Sequence, residues 1–237
     1  MKPADQSEVL ISLDMDWAPD ALIEDSLQLL NERGIRATLF LTGPTAVDLT
    51  GHEIALHPNY IGPDLESPIA KLLDLFPDAA GARSHALFFS YRLTEVYERL
   101  GIRYQSNVLA YKQNDLRAFQ ISRKVAEVPI YFMDNILLVM EPGQTHFKLH
   151  DLGLNEPGLK VFDFHPIHIY LNTDCIERYT KAKPFYHAPS DLAPLRNRQK
   201  PGIRDLFINL LDSLAERQGG SKRIGDWLKQ DFNWTFS

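Results

Sequence analysis

Short apolar runs that alternate with one-sided helical stretches constrain this chain more than any other feature of its 237 residues. Val9 to Leu13 is apolar and short, as a buried strand is, and Pro19 and Asp20 then open a helix with Leu22, Ile23, Leu27 and Leu30 on one face. Gly34 falls where a left-handed C-terminal cap is wanted. Ile35 to Leu41 reads as the second strand, Thr42-Gly43-Pro44 as a turn, and Glu53 to His57 as the third strand. Ser67 at the N-cap and Pro68 at the first helical position start a helix running through Phe76. Arg83 to Phe89 reads as the next strand and loop, and Leu93, Val96, Tyr97 and Leu100 form a helical stripe ended by Gly101.

The run IRYQSNVL, then Val125 to Tyr131 and Lys160 to Tyr170, complete the strands. The late helix carries Ile203, Leu206, Phe207, Leu210, Leu211 and Leu214 at helical spacing, with Gly219-Gly220 terminating it. Residues 141–159 and 172–201, rich in Pro, Gly, Asn and His, read as long loops that carry function or cover a site. Strand and helix in alternation give an α/β barrel or an open doubly wound sheet, and periodicity alone does not choose. In either, the first two strands are expected to be parallel neighbours joined by a right-handed helical crossover over Asp20 to Arg33.

Composition narrows the function. With 44% hydrophobic and 24% charged residues the chain is read as one globular domain over residues 1–237. A net charge of -6 and no basic stripe speak against nucleic-acid binding. The single cysteine, Cys175, excludes an internal disulfide framework and any Cys-rich zinc site, so a metal would be held by His, Asp, Glu or Asn. The apolar stretch before Asp14 is too short for a signal peptide or a membrane span, so no membrane insertion and a cytoplasmic location are the expectations. Neither GxGxxG after the first strand, nor a P-loop, nor a GxSxG elbow is present.

Chemistry gathers at the strand ends. Asp14 and Asp16 lie where the first strand runs out, two residues apart and so on one side of an extended chain, and His57 ends the third strand. In parallel α/β folds catalytic groups sit at those ends, although carboxylates there also cap turns and a lone histidine is more often a hydrogen-bonded structural residue.

The order SLDMDW, GIRATLFLTG, GHEIALHPN, GARSH and FDFHPIH resembles the NodB-homology polysaccharide deacetylases, and within them the WbmS-like group, over roughly residues 8–215. The resemblance implies a deformed (β/α)7 barrel that binds one divalent metal, zinc first with Co, Ni or Mn as substitutes, and hydrolyses an N-acetyl or related amide on a carbohydrate. It implies Asp14 as general base, Asp16 as metal ligand, Arg83 as the arginine that orients the base, and His165 as the acid. His57 matches the first histidine of a His-x-x-x-His metal motif whose second position is here Ile61, and His52 matches a residue that is not a ligand. Catalytic zinc sites normally use three protein ligands plus water, so a third ligand must come from elsewhere. Asn59, two residues beyond His57, and His85, two beyond Arg83, are the two candidates.

Trp17 is the natural aromatic wall for a sugar ring, with Tyr60 and Tyr91 as weaker candidates, and Asp134 in YFMDN approaches the site from a strand end. His165 and His168, three apart on the expected strand, face opposite ways unless Pro166 breaks it. His146, His150 and His187 read as loop residues. Two further readings remain: a barrel without catalysis that binds sugar or regulates, motivated by Ile61, and an amide hydrolase acting on a non-sugar substrate.

Overall fold

A computed structural model describes residues 7–142, 147–217 and 221–231. His146 and the Gly219-Gly220 terminator lie outside these. The described chain folds as β1 (Ser7–Asp14), α1 (Asp20–Asn31), β2 (Thr38–Leu41), β3 (Glu53–Leu56), α2 (Ser67–Leu75), β4 (Gly81–Ala82), α3 (Tyr91–Arg99), β5 (Tyr104–Gln105) and β6 (Phe119–Gln120). It continues with β7 (Ala126–Glu127), β8 (Ile130–Met133), α4 (Asp134–Met140), β9 (Gly158–Phe164), α5 (Pro166–Leu171), α6 (Ile176–Ala182), α7 (Pro189–Leu192), α8 (Ile203–Ala215) and α9 (Ile224–Asp231).

The strands form one sheet in the order β6-β7-β5-β4-β3-β2-β1-β9-β8, parallel except for the β6–β7 pair. β1 and β2 are parallel neighbours in the register Ser12↔Thr38 to Asp14↔Phe40, as expected of the first crossover. The sheet curls until β8 meets the chain that follows β5. Beyond β5, Val108 and Ala110 exchange backbone hydrogen bonds with Ile130 of β8 at 2.8 and 2.9 Å, and one parallel bridge, Leu109↔Ile130, forms the seam. This curled α/β half-barrel agrees with the deformed barrel that the resemblance implied.

The pleat of β1 sorts its residues by layer. Val9, Ile11 and Leu13 point outward and pack with Ile23, Leu27 and Leu30 of α1 and Leu206, Leu210 and Leu214 of α8. Leu10 points inward with Phe40, Ala55, Tyr104, Val128 and Val161, and α9 closes this lower end with Ile224, Trp227 and Leu228. Higher on the same inward rows come Ser12 and Asp14 on β1 and Asp163 on β9, all buried. The barrel interior thus changes from apolar to polar toward the C-terminal ends of its strands.

Several expected boundaries move. Ser67 is not the N-cap of α2; Glu66 is, and Asp64 Oδ1 accepts the N–H groups of Glu66 and Ser67 at 3.0 and 3.1 Å, so a carboxylate further upstream does the capping. The run Val125 to Tyr131 divides into β7 and β8, with a register shift between Ile130 and Phe132. The strand expected to reach Tyr170 ends at Phe164, because Pro166 cannot donate to a ladder and instead opens α5. Residues 172–201 are not a bare loop but hold α6 and α7. No described helix is long and apolar enough to cross a membrane.

Candidate active site

Two tight left-handed turns place the groups that could hold a metal. The chain leaves β1 through Met15, whose N–H is held by Phe40 O at 3.1 Å, and then adopts φ 39° at Asp16 and φ 56° at Trp17. A second such turn, with φ 56° at Ala86 and 53° at Leu87, follows His85. Positive φ at non-glycine residues costs roughly 1–3 kcal/mol each and persists where the surroundings impose it. Here the two turns aim Asp16 and His85 at one point. Asp16 Oδ1 lies 3.1 Å from His57 Nε2 and 3.0 Å from His85 Nδ1. His57 donates from Nδ1 to the carbonyl of Arg83 at 2.8 Å, which fixes the ring with Nε2 aimed at Asp16.

Arg83 fills the barrel interior beneath. Fully buried, it donates from Nη1 to Asp14 Oδ1 at 2.8 Å, to Ser12 Oγ at 3.0 Å and to Asp163 Oδ1. Nε and Nη2 donate to Ser106 O and Oγ at 3.1 and 2.9 Å, and the guanidinium stacks over Phe40 at 4.1 Å. A buried guanidinium needs such answering groups to be tolerated. Asp163 shares it with Asp14; burial is the largest influence on Asp163 and, with the nearby Asp14 charge, pushes its carboxyl up to about 8 despite Arg83.

On the other side His165 caps α5. Asp134, at the start of α4, accepts the His165 N–H at 2.8 Å and the ring Nδ1 at 2.6 Å, so Nε2 is the free ring nitrogen, 3.6 Å from Asp16 Oδ2. Burial would lower the His165 pKa, but Asp134 above all, then Asp16, holds it well above the ordinary value. For Asp16, burial acts upward and the hydrogen bonds from His57 and His85 prevail, holding the carboxyl well below the usual range.

Two acid-and-imidazole groups therefore meet at the mouth: Asp16, His57 and His85, and Asp14, Asp163 and His165, the ligating atoms in each within 4.8 Å of one another. The second encloses the Arg83 guanidinium, which repels a cation. The first offers one carboxylate and two imidazoles on a half-exposed rim, a donor set suited to zinc or a similar divalent ion with positions left open.

Asn59 is half-buried just past β3 and hydrogen-bonds to none of these three. Ile61 is 85% exposed, so the chain after His57 runs outward and its fourth residue does not turn back to the site. Trp17 stands half-exposed at the rim with its ring edge-on to His85 at 4.9 Å. Tyr60 turns instead toward the α2–α3 layer, its ring on Phe88 and its hydroxyl 3.4 Å from that of Tyr97. His168 is buried behind His165, with Nδ1 3.1 Å from Thr173 Oγ1, and burial pulls its pKa down to about 4. His52 is a structural histidine, accepting the Ala37 N–H at 3.2 Å and meeting Asn31 at 3.1 Å. His150 and His187 are exposed, as is Tyr91.

Sequence reasoning missed Asp163, although the inward row Val161, Asp163, His165 would have pointed to it. It also missed Tyr186, whose hydroxyl donates to the Asp16 carbonyl at 2.9 Å, because that residue lies in a stretch read as loop.

The curled parallel sheet has the fold of solved proteins described as polysaccharide deacetylase and carbohydrate esterase. A family model described as "WbmS-like: Polysaccharide deacetylase" matches residues 11–183, more than half of the chain, and the chain belongs to that family. Among solved structures it is similar to WbmS of Bordetella bronchiseptica, a candidate polysaccharide deacetylase involved in O-antigen biosynthesis, with TM-score 0.79 and 25% identity over 86% of this chain and 90% of that one. In fold it is also similar to a family 4 carbohydrate esterase of Bacillus anthracis (TM-score 0.50, 14% identity, 96% and 84% of the two chains). A pseudoenzyme of that same family and organism shares the fold too (TM-score 0.50, 13% identity, 95% of this chain and 66% of that one). No curated protein matches the chain.

Proposed function

We propose that this protein is a metal-dependent hydrolase that removes an N-acetyl or related amide-linked acyl group from a carbohydrate, within one catalytic domain. The observation that carries the reading is the convergence of His57 and His85 on the Asp16 carboxylate, directly beside the Arg83-held Asp14. Asp16, His57 and His85 would hold one divalent ion, zinc in the first place. Bound there, such an ion supplies polarisation of the acyl oxygen and acidification of water.

The protein's own groups account for the rest. Asp14, anchored through Oδ1 to Arg83, keeps Oδ2 free to accept a proton from the attacking water. His165, kept protonated and oriented by Asp134, presents Nε2–H to the leaving amine. Trp17 offers a flat apolar wall to a sugar ring at the rim. His168 and Tyr60, each engaged elsewhere, are assigned supporting rather than substrate-binding roles.

Elemental analysis after chelation and reloading tests the ligand set. Wild type should retain about one zinc or cobalt per chain, Asp16→Asn/His57→Ala none, and His85→Ala much less than Asn59→Ala. Stoichiometric metal in the double variant would discard the assignment. One observation favours a second reading, a sugar-binding barrel without turnover: the position matching the family's second histidine is an exposed isoleucine. Acetate release by metal-loaded wild type from a panel of N-acetylated sugars separates the two.

A further inference from the structure

The segment that covers the mouth also builds a basic cavity that the hydrolytic site does not use. Arg178 on α6, with Arg196, Asn197, Arg198 and Gln199 beyond α7, lines a cavity of about 520 Å³, within the size range of small-ligand pockets. In a chain of net charge -6 such a concentration of cations is not a default of composition. Arg178 is partly answered by Asp174, 2.5 Å from its Nε, and the neighbouring Arg204 is gripped by Asp25, one contact measuring 3.0 Å. Arg196 and Arg198 have no carboxylate partner among the described residues. Arg196 lies instead over the Tyr170 ring at 5.6 Å, with burial first and the Arg204 charge second lowering its pKa.

The loop is set before any ligand arrives. Buried Asn197 donates through Nδ2 to Asn172 O at 3.1 Å and Lys200 O at 2.7 Å, accepts the N–H groups of Gln199 and Lys200 at 3.1 Å, and donates its own N–H to Leu171 O at 2.8 Å. Two guanidiniums without a bonded carboxylate, Arg196 feeling Asp25 only at a distance, and a third partly answered call for a dianion more than a single carboxylate, and guanidinium forks match phosphate oxygens two at a time. The same segment reaches the active site: Tyr179, next to Arg178, lies 4.8 Å from the His168 ring, and Tyr186 holds the Asp16 carbonyl.

We propose that this cavity binds the phosphoryl or diphosphoryl group of a phosphorylated sugar, and so selects the substrate class of the deacetylase reading on which it rests. The direct test is calorimetric titration of the full chain at low salt with inorganic phosphate and with pyrophosphate. Saturable binding is expected in wild type, weakened at least tenfold in Arg196→Ala/Arg198→Ala and in the milder surface variant Arg198→Glu. No saturable binding by wild type, or equal binding by folded variants, overturns the site whatever the enzyme does.

The link to substrate is read separately, from acetate release with an N-acetylhexosamine, its 1-phosphate and its nucleoside-diphosphate derivative. The phosphorylated forms should show the lower KM, and the double variant should raise that KM about tenfold while leaving kcat and the free sugar unaffected. Equal KM values beside intact pyrophosphate binding would overturn the substrate assignment and leave free phosphate as the ligand. Pyrophosphate binding without acetate release from any of the three would support the anion site and count against the deacetylase reading.

Discussion

Asp14 and Asp16, two residues apart, face different partners, and in the function proposed above that difference separates proton transfer from metal holding. Asp14 is tied to Arg83 and stays 3.8 Å from His57 Nε2, whereas Asp16 sits between two imidazoles. Asp14→Asn should leave metal content nearly intact while lowering amide hydrolysis by about 10²-fold or more, the usual scale of general-base catalysis. Equal acetate release by the two proteins would remove Asp14 from that role. Asp163 makes a second test at the same scale. In the fold its carboxyl is pushed up to about 8, whereas in the unfolded chain it loses its proton near the ordinary value of 3.8. Its contribution to stability is therefore complete below about pH 4 and is lost as pH rises toward 8. Asp163→Asn cannot ionise, so its urea midpoint should fall less between pH 5 and pH 8.5 than that of wild type. Parallel trends would show that Asp163 does not titrate in this range. The pleat explains why motif reading reached Asp14 and Arg83 but passed over Asp163: its neighbours in VFDFH are hydrophobic, and only the alternation of the strand reveals that it faces Arg83.

At the scale of elements, long helices with one apolar face and the first strands were readable, because burial on one side leaves a periodic trace. β4 and β5, two residues each, leave no such trace, and a proline decided the end of β9. Close approach of backbone was also invisible. Gly81 in β4 lies beneath the Tyr104 ring of β5, and a Cβ there would fall 1.9 Å from Tyr104 Cζ. Gly81→Ala should therefore destabilise the fold by about 1–3 kcal/mol, the usual cost of overpacking, with partial rescue by Tyr104→Leu in chemical denaturation. An unshifted midpoint in the single variant would mean that the strands separate without cost. On the outer layer, Leu211→Ala in α8 removes a fully buried side chain from the helix–sheet interface and should cost about 2–5 kcal/mol in the same measurement.

For the whole molecule the division is between an apolar, α9-closed lower end and a polar upper mouth. The resemblance made the barrel legible from the sequence. What it left open was the third member of the Asp16 and His57 group, since the return of His85 to Asp16 depends on a left-handed turn at Ala86 and Leu87, residues that do not advertise positive φ. If the metal sits where these turns converge, it joins the ends of β1, β3 and β4, and binding it only in the folded state must raise thermal stability by mass action. Chelation should lower the unfolding temperature of wild type and leave Asp16→Asn/His57→Ala unmoved. Equal shifts in both proteins would place the stabilising ion elsewhere.

The seam of the barrel has a mechanical consequence. β1 and β9 pair along seven registered positions, while among the described residues the chain beyond β5 is tied to β8 by one bridge, Leu109↔Ile130, and the hydrogen bond from Lys112 N–H to Tyr131 O. The hoop therefore has a strong rivet on one side and a light clasp on the other. Brief openings of such a ring concentrate at the clasp, so the amides of Ala110 and Ile130 should exchange with deuterium well before those of Ile11 and Phe162. Loosening there would let the β5–β8 side of the mouth flex while β1, which leads to Asp14 and Asp16, stays fixed.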